Sequence, residues 1–467
     1  MDEILLMRFF EANRKPIEEA FMRKKTYHVD ETPSEERRAS QYGRNRKEIR
    51  WDKLDNTAHL FPAIAGEEMT NVYRLSVRLT ELIVPELLQQ ALDIVLPQFD
   101  GFNLRIRHGV FWYYFEENGN PAPPVREEYN YPCRFIRGHQ NNDYLFRVTY
   151  YRYRINLEVF HVLTDGMGGF NFLKELTYQY LRLRHPELRS KTKDRLSSGT
   201  TLNREDSFVS NFRKTAKKQY KSQKAYHVTG EKLPEGEFGV IHGYLKIPEL
   251  KKVCRGYGAS INEYLVACYT WSVYTECLRR MPSEDPIRVA VPVNLRPYFN
   301  SNTTKNFFAM VSAEFHPVED SYSFDDVLGE LQASLRSQMT REHLEEIFSF
   351  SVSSQQNPIL SLIPLPLKGF AMRRVYNRSA MANTTTITNV GNITVAEPYQ
   401  PYIEMFFAVL SISKGQNLKG SVCSYGDTLV FTFSYNLADP AVQRRFFRKL
   451  AQDGLTVEIE SNGVHYG

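Results

Sequence analysis

His161 and Asp165 are the two residues whose types and spacing suggest chemistry, and Gly166, Gly168 and Gly169 follow them at once. An imidazole titrates near neutral pH, so a histidine can take a proton from an alcohol, a thiol or an amine. A carboxylate four residues further along a tight turn can meet the backbone or a cation rather than the imidazole. Glycines admit dihedrals and close approaches that side chains forbid. The plainer reading is a histidine satisfied by local hydrogen bonds and glycines that serve only a turn. The residues alone leave both readings open. No rival constellation is spelled out, since H-E-x-x-H, G-x-x-x-x-G-K-[ST] and G-x-S-x-G are all absent. His59 and His108 lack the acidic or cysteine spacing of a metal site, and His139, His227 and His242 show no ligand pattern. No metal is therefore expected.

The elements that must position the pair can be read from a change of period. Tyr153, Ile155, Leu157 and Val159 alternate with Arg154, Asn156, Glu158 and Phe160 at the end of a strand read over 144–160. From Gly168 onward Phe170, Leu173, Leu176 and Tyr180 fall at helical spacing. The pair thus lies where a strand gives way to a turn and a helix, a junction that projects side chains from a rigid scaffold. Upstream, Leu75, Val77 and Leu79 alternate with Arg74, Ser76 and Arg78, Pro85 opens a helix, and 104–116 reads as an aromatic-rich strand. Downstream, a strand at 240–247 precedes a helix opened by Ser260 and Glu263 as a capping box. β-like runs follow at 287–293 and 307–315, then a helix at 324–344. Late strands at 385–396, 403–413 and 418–434 lead into a helix at 438–451. The mixed order predicts an α/β (α+β) chain of two lobes, each a mixed sheet flanked by helices, rather than a barrel. The expected division is an N-terminal extension over 1–50, partly ordered and rich in charge, a first lobe over 51–185, a crossover over 186–235 with a helix around 206–225, and a second lobe over 236–467.

Composition narrows the function classes. The 467 residues exceed the size at which one core stops growing, and 42% of them are hydrophobic. A net charge of +5, from 59 basic and 54 acidic residues, is small for the length; it permits an anionic ligand but does not argue for nucleic acid, and no nucleic-acid partner is expected. The aromatic run at 110–115 has no basic groove beside it, so a packed strand explains it better than a stacking platform. Five scattered cysteines, Cys133, Cys254, Cys268, Cys277 and Cys423, form no C-x-x-C pair and fit a reducing setting. The first residues are acidic where a signal peptide would be basic, and no run of apolar residues is long enough to span a bilayer. A cytoplasmic monomer or weak oligomer is expected, with peripheral membrane contact left open.

Three segments carry a resemblance. H-V-L-T-D-G at 161–166 resembles the H-x-x-x-D-G signature of the acyltransferase superfamily that contains chloramphenicol acetyltransferase, plant acyl-CoA-dependent acyltransferases and peptide-synthetase condensation domains. V-P-V-N-L-R-P-Y-F at 291–299 is similar to the asparagine–arginine segment of that family. I-T-N-V-G-N-I at 387–393 resembles the late loop of bacterial alcohol acetyltransferase-like members, the nearest group in overall style. The resemblance runs over roughly 55–455. It implies chloramphenicol-acetyltransferase-like lobes with a tunnel between them, and an enzyme that moves an acyl group from a CoA thioester directly to the hydroxyl of a small or lipid-like alcohol. It makes His161 the general base. Asp165 becomes its structural companion paired with Arg296, Asn294 supports the same junction, and Gly166 gives room for the donor or the loop. Asn389, with Thr388 beside it, becomes the oxyanion donor. Acyl-CoA is then a co-substrate rather than a resident cofactor, with an acyl-carrier protein as the alternative donor and partner. Two features depart from subfamily patterns: T-N-V-G-N stands where plant-type members carry D-F-G-W-G, and Phe160 stands where condensation domains carry a second histidine. A condensation-like reaction on an amine or alcohol and a catalytically degenerate scaffold are the competing readings.

Overall fold

The computed structural model describes residues 51–55, 58–191, 201–213, 223–355 and 363–463. The extension expected over 1–50 and residues 214–222 of the helix expected around 206–225 lie outside them; the described part of that helix is the single turn Ser207–Ser210. In chain order the strands are β1 (Trp51–Lys53), β2 (Val72–Leu79), β3 (Leu104–His108), β4 (Tyr113–Glu117), β5 (Arg126–Glu127), β6 (Phe146–Tyr151), β7 (Arg154–Phe160), β8 (Gly239–Lys246), β9 (Ile287–Asn294), β10 (Phe308–Phe315), β11 (Thr385–Asn392), β12 (Ile403–Leu410), β13 (Leu418–Tyr425), β14 (Thr428–Tyr435) and β15 (Val457–Ser461). They build a five-stranded sheet in the order β12-β2-β7-β6-β5, a seven-stranded sheet in the order β10-β9-β11-β13-β14-β8-β15, and a small sheet β1-β4-β3. Both large sheets mix parallel and antiparallel pairs, as the irregular alternation of elements predicts.

The first lobe grows from β2 and β7, which pair antiparallel along their length. Leu75, Val77, Ile155, Leu157 and Val159 meet the helix Gly166–Arg184, whose Phe172, Leu173 and Leu176 are fully buried. A second helix, Pro85–Val95, covers this helix with Leu88, Ala91 and Leu92, and proline opens it as expected. The second lobe packs the helix Ile261–Glu276 against the seven-stranded sheet, and its Ser260–Glu263 capping box is formed in both directions.

Several elements are shorter than their sequence signals. The runs over 104–116, 144–160 and 418–434 are each folded into hairpins. The turns fall at Gly109, at Arg152 with φ +49° and at Gly426 with φ +60°. In the first two, apolar alternation continues through both arms and hides a turn that lacks proline or a paired asparagine–glycine, whereas Gly426-Asp427 in the third is a turn signal in the sequence itself. The helix over 324–344 is two helices, Phe324–Gln338 and Arg341–Gln355.

The larger correction concerns β12. It belongs by sequence to the second lobe, yet it pairs antiparallel with β2 and completes the sheet of the first. Its other side is held by β13, where the Ser421 hydroxyl donates to Ala408 O and the Cys423 thiol to Phe406 O. The run IEMFFAVL is buried at every position but Glu404 and Leu410. Such a run demands burial on both faces but does not say in which sheet. The lobes are therefore stitched by a strand as well as by packed surfaces.

Candidate active site

β7 ends at Phe160, and the next residues turn sharply before the helix. His161 N donates to Asn71 O at 2.9 Å, and the Tyr73 hydroxyl, reaching over from β2, donates to Asp165 O at 2.8 Å. Asp165 is the N-cap of the helix, and its Oδ1 accepts from the backbone of Met167 and Gly168 at 3.2 Å each. Its Oδ2 faces the second lobe, where it accepts from Phe307 N at 3.2 Å and pairs with the Arg296 guanidinium at 2.8 Å. Arg296 is satisfied on every side: Thr303 O and Lys305 O accept from it at 2.8 Å, and Asn294 Oδ1 accepts its backbone N–H at 3.1 Å. One carboxylate thus caps a helix of the first lobe and neutralises a buried cation of the second. It does not hydrogen-bond to the imidazole.

The imidazole is held instead by Asn306. Asn306 Nδ2 donates to Asp55 Oδ2 at 2.8 Å and to His161 O at 3.3 Å, and its backbone N–H also reaches Asp55 at 3.2 Å. With its amino group so committed, Asn306 presents Oδ1 to His161 Nδ1 at 3.1 Å. Nδ1 must therefore carry the ring proton, which leaves the Nε2 lone pair as the basic position. Nε2 has no hydrogen-bond partner among the described residues. Phe61 stacks on the ring at 4.8 Å, Tyr73 meets it edge-on at 5.0 Å, and Phe308 closes the third side at 5.7 Å. Burial among these rings pushes the imidazole below its ordinary value of 6.5. The Asp165 charge and the Asn306 contact oppose this, and Lys419 adds a smaller push downward. The ring is neutral at physiological pH, the state a general base needs. Asp55, whose carboxyl accepts from Asn306 and from Ala58 N at 2.8 Å, is pushed up to about 7 by its burial.

Asn306 and Asp55 were not legible in the sequence. They lie 145 and 106 positions from His161, and neither stands in a motif. The loop that carries Asn306 is tied down at several points. Lys305 pairs with Asp52 at 3.0 Å, and Thr304 N donates to Asn203 O at 2.7 Å. Residues 201–206 of the crossover thus help to hold the imidazole.

The glycines divide by role. A Cβ at Gly168 would overlap the Thr164 hydroxyl and come within 2.7 Å of Thr304 O; at Gly169 it would lie 2.8 Å from Leu75 Cδ1 and 2.9 Å from the Tyr73 hydroxyl oxygen. These two are required by packing. Gly166 is different, for a Cβ there would meet only Val390 Cγ1 at 3.7 Å. That contact brings the end of β11 to the motif. Val390, at a bulge between Asn389 and Gly391, packs against the core of the first lobe, and Thr388 turns away from the second-lobe core that its neighbour Ile387 joins. Asn389 points the other way, is exposed, and spends its Oδ1 on Gly391 N at 2.9 Å in a local turn next to a bulge. No hydrogen bond joins either residue to His161 among the described residues.

The other histidines are engaged elsewhere. His242 accepts or donates at Thr432 Oγ1 at 2.8 Å, and burial lowers it to about 3. His227 contacts Gly415 O at 2.7 Å, and His59 is half-buried, edge-on against Trp112. No group of three potential metal ligands converges among the described residues. A polar cavity of about 490 Å³, lined by Arg126, Arg134, Asn141 and Arg147 among others, opens beside β5 and does not include His161.

No family model and no curated protein matches the sequence. Solved structures do. TRI101 of F. sporotrichioides, complexed with coenzyme A and T-2, aligns with a TM-score of 0.59 at 10% identity, over 87% of this chain and 99% of that one. The first condensation domain of the calcium-dependent antibiotic synthetase, with a substrate analogue, gives 0.57 at 13% over 87% and 99%. Polyketide synthase associated protein 5 from Mycobacterium tuberculosis gives 0.54 at 16% over 86% and 96%. The chain has the two-lobed fold of the chloramphenicol acetyltransferase and condensation-domain superfamily. At these identities the likeness is one of fold, and it does not select the alcohol acetyltransferase-like group.

Proposed function

We propose that the protein is an acyltransferase that moves an acyl group from a thioester directly to the hydroxyl of a small or lipid-like alcohol, with His161 as general base. The observation that carries the reading is the imidazole itself: neutral, fixed by Asn306 in the tautomer that frees Nε2, and set at a lobe junction among Phe61, Tyr73 and Phe308. Nε2 takes the hydroxyl proton as the alcohol oxygen attacks the thioester carbonyl. The tetrahedral intermediate collapses, the C–S bond breaks, and the imidazolium returns its proton to the departing thiolate. No protein nucleophile is consumed, and the five cysteines stay outside the chemistry. The thiols of Cys133, Cys254, Cys268 and Cys423 are buried, and burial raises each of them, which disfavours thiolate. Asp165 and Arg296 position the loop, and Gly166 leaves space for the thioester arm. The Thr388 hydroxyl is the candidate donor to the oxyanion, where a preorganised donor has most effect because water is excluded.

A CoA thioester is the preferred donor, supported by the coenzyme A complex of TRI101 on the same fold. A carrier-protein thioester is the alternative, supported by the condensation-domain likeness. We place the reaction in the cytoplasm; among the described residues no helix is long and apolar enough to cross a membrane. The test is a donor-by-acceptor screen that follows free thiol, with acyl-CoA and acyl-carrier donors in parallel. His161→Gln should lower turnover by about 10²- to 10⁴-fold with the fold retained. Unchanged thiol release in that variant would sink the reading.

A further inference from the structure

β13 carries a lysine in a place where a cation is unexpected. Its Ser421 and Cys423 side chains point across the lobe junction and donate to Ala408 O and Phe406 O of β12. The next residue on that face is Lys419, and the same step along β12 reaches Leu410. Leu410 pairs with Tyr73, whose ring meets His161 at 5.0 Å. Lys419 is thus directed into the space between the lobes, on the side of the catalytic histidine, and its charge is felt there.

The acids around this space are already engaged. Glu158 is held by Arg74 and Arg147, Asp165 by Arg296, and Asp55 by Asn306. The titratable group facing Lys419 is the Cys133 thiol, whose Sγ lies 3.5 Å from Val409 O and which burial keeps protonated. Among the described residues Lys419 forms no hydrogen bond and no ion pair. Burial lowers its ammonium to about 8, so it remains mostly charged at neutral pH. Lys419 is half-buried, so its ammonium loses part of its hydration without gaining a counter-ion, and nothing in the packing of β13 requires a charge there. A methionine would fill the same volume at lower cost.

We propose that Lys419 is the counter-charge for an anionic substituent, a carboxylate or a phosphate, on the substrate that reacts at His161. The inference rests on the acyl-transfer reading and adds to it a substrate class. A pantetheine arm keeps its own phosphates far from the thioester, so an anion beside the general base belongs to the acceptor or to the acyl chain. An acceptor of this class is a hydroxy acid or phosphorylated alcohol; an acyl group of this class is a dicarboxylic monothioester.

The experiment compares wild type, Lys419→Met, Lys419→Gln and Lys419→Arg against matched charged and neutral probes. One arm pairs ω-hydroxy acids and hydroxyalkyl phosphates with the corresponding methyl esters. The other pairs succinyl-CoA with butyryl-CoA. Binding is read by calorimetry and transfer by thiol release. Removing the charge should weaken the anionic member of one arm by about ten- to hundredfold and leave its neutral partner within about twofold, while Lys419→Arg retains most of the preference. The arm that responds identifies the source of the anion. Charge-selective binding lost in Lys419→Met without turnover in any protein would uphold the site and sink the acyl-transfer reading. Turnover that falls equally for charged and neutral partners, or does not fall, would overturn the site and leave that reading standing. Failure of wild type to bind any charged probe more tightly than its neutral match would overturn it as well.

Discussion

The Asp165–Arg296 pair offers the most direct test of how the motif is held. Both side chains are about nine-tenths buried, and the carboxylate also accepts three backbone N–H groups. Asp165→Ala removes a helix cap, about 1 kcal/mol, and strands a guanidinium between lobes, about 3–5 kcal/mol. If these losses add, about 4–6 kcal/mol is expected, a large share of the stability of an ordinary domain. Asp165→Asn keeps an oxygen for the cap and should cost about 3 kcal/mol, nearly all of it from the lost charge. Arg296→Met should cost about the same. If the two act on one interaction, the double variant Asp165→Asn/Arg296→Met should be less destabilised than the two single changes combined, by about 2 kcal/mol. Equilibrium urea unfolding followed by the fluorescence of the three tryptophans measures the four variants against wild type. Additivity within about 0.5 kcal/mol would refute the claim that the pair couples the lobes. An Asp165→Asn variant as damaged as Asp165→Ala would refute the division of labour between cap and ion pair.

Three further outcomes follow from the same geometry. The acid limb of the pH–rate profile should fall below pH 6.5, because burial disfavours the imidazolium, and Asn306→Ala should move it lower still, since the amide contact favours the protonated ring; a limb that moves upward would contradict the assigned contact. Asp55 has a folded-state value near 7, above its value of 3.8 as a free carboxyl, so its contribution to stability is present below pH 3.8 and lost as pH rises through 7. Melting of wild type relative to Asp55→Asn should therefore worsen from about pH 4 to about pH 7 and level off above that, and a flat difference would show that Asp55 does not titrate in this range. Gly168→Ala should fail to fold or lose several kcal/mol, because its Cβ would strike the Thr304 carbonyl oxygen, whereas Gly166→Ala should melt like wild type and raise KM for the thioester.

Much of this molecule was written locally. The switch from a two-residue to a helical period placed the strand, the turn and the helix around His161. The capping signals at Pro85 and Ser260 fixed two helix starts to the residue. These features depend on groups a few positions apart, which a linear reading can compare. Resemblance paired Asp165 with Arg296, and the two atoms stand 2.8 Å apart.

Tertiary structure alone decided the rest, because the groups involved are distant in the chain and carry no periodic signal. Asn306 sets the tautomer of His161 from a loop that looks unremarkable in sequence, and Asp55 orients Asn306 from a third segment. The strand β12 enters the first lobe although it follows the whole of the second, since an evenly apolar run fits any sheet that buries both its faces. Thr388 and Asn389 are neighbours in sequence and opposites in space, and only the direction of β11 relative to Gly166 separates them. Lys419 reads as an ordinary strand lysine until β12 is laid across it. The sequence determined which residues were able to act at the junction of strand and helix; the packing of one lobe on the other decided which atom of the histidine is free and which charges face it.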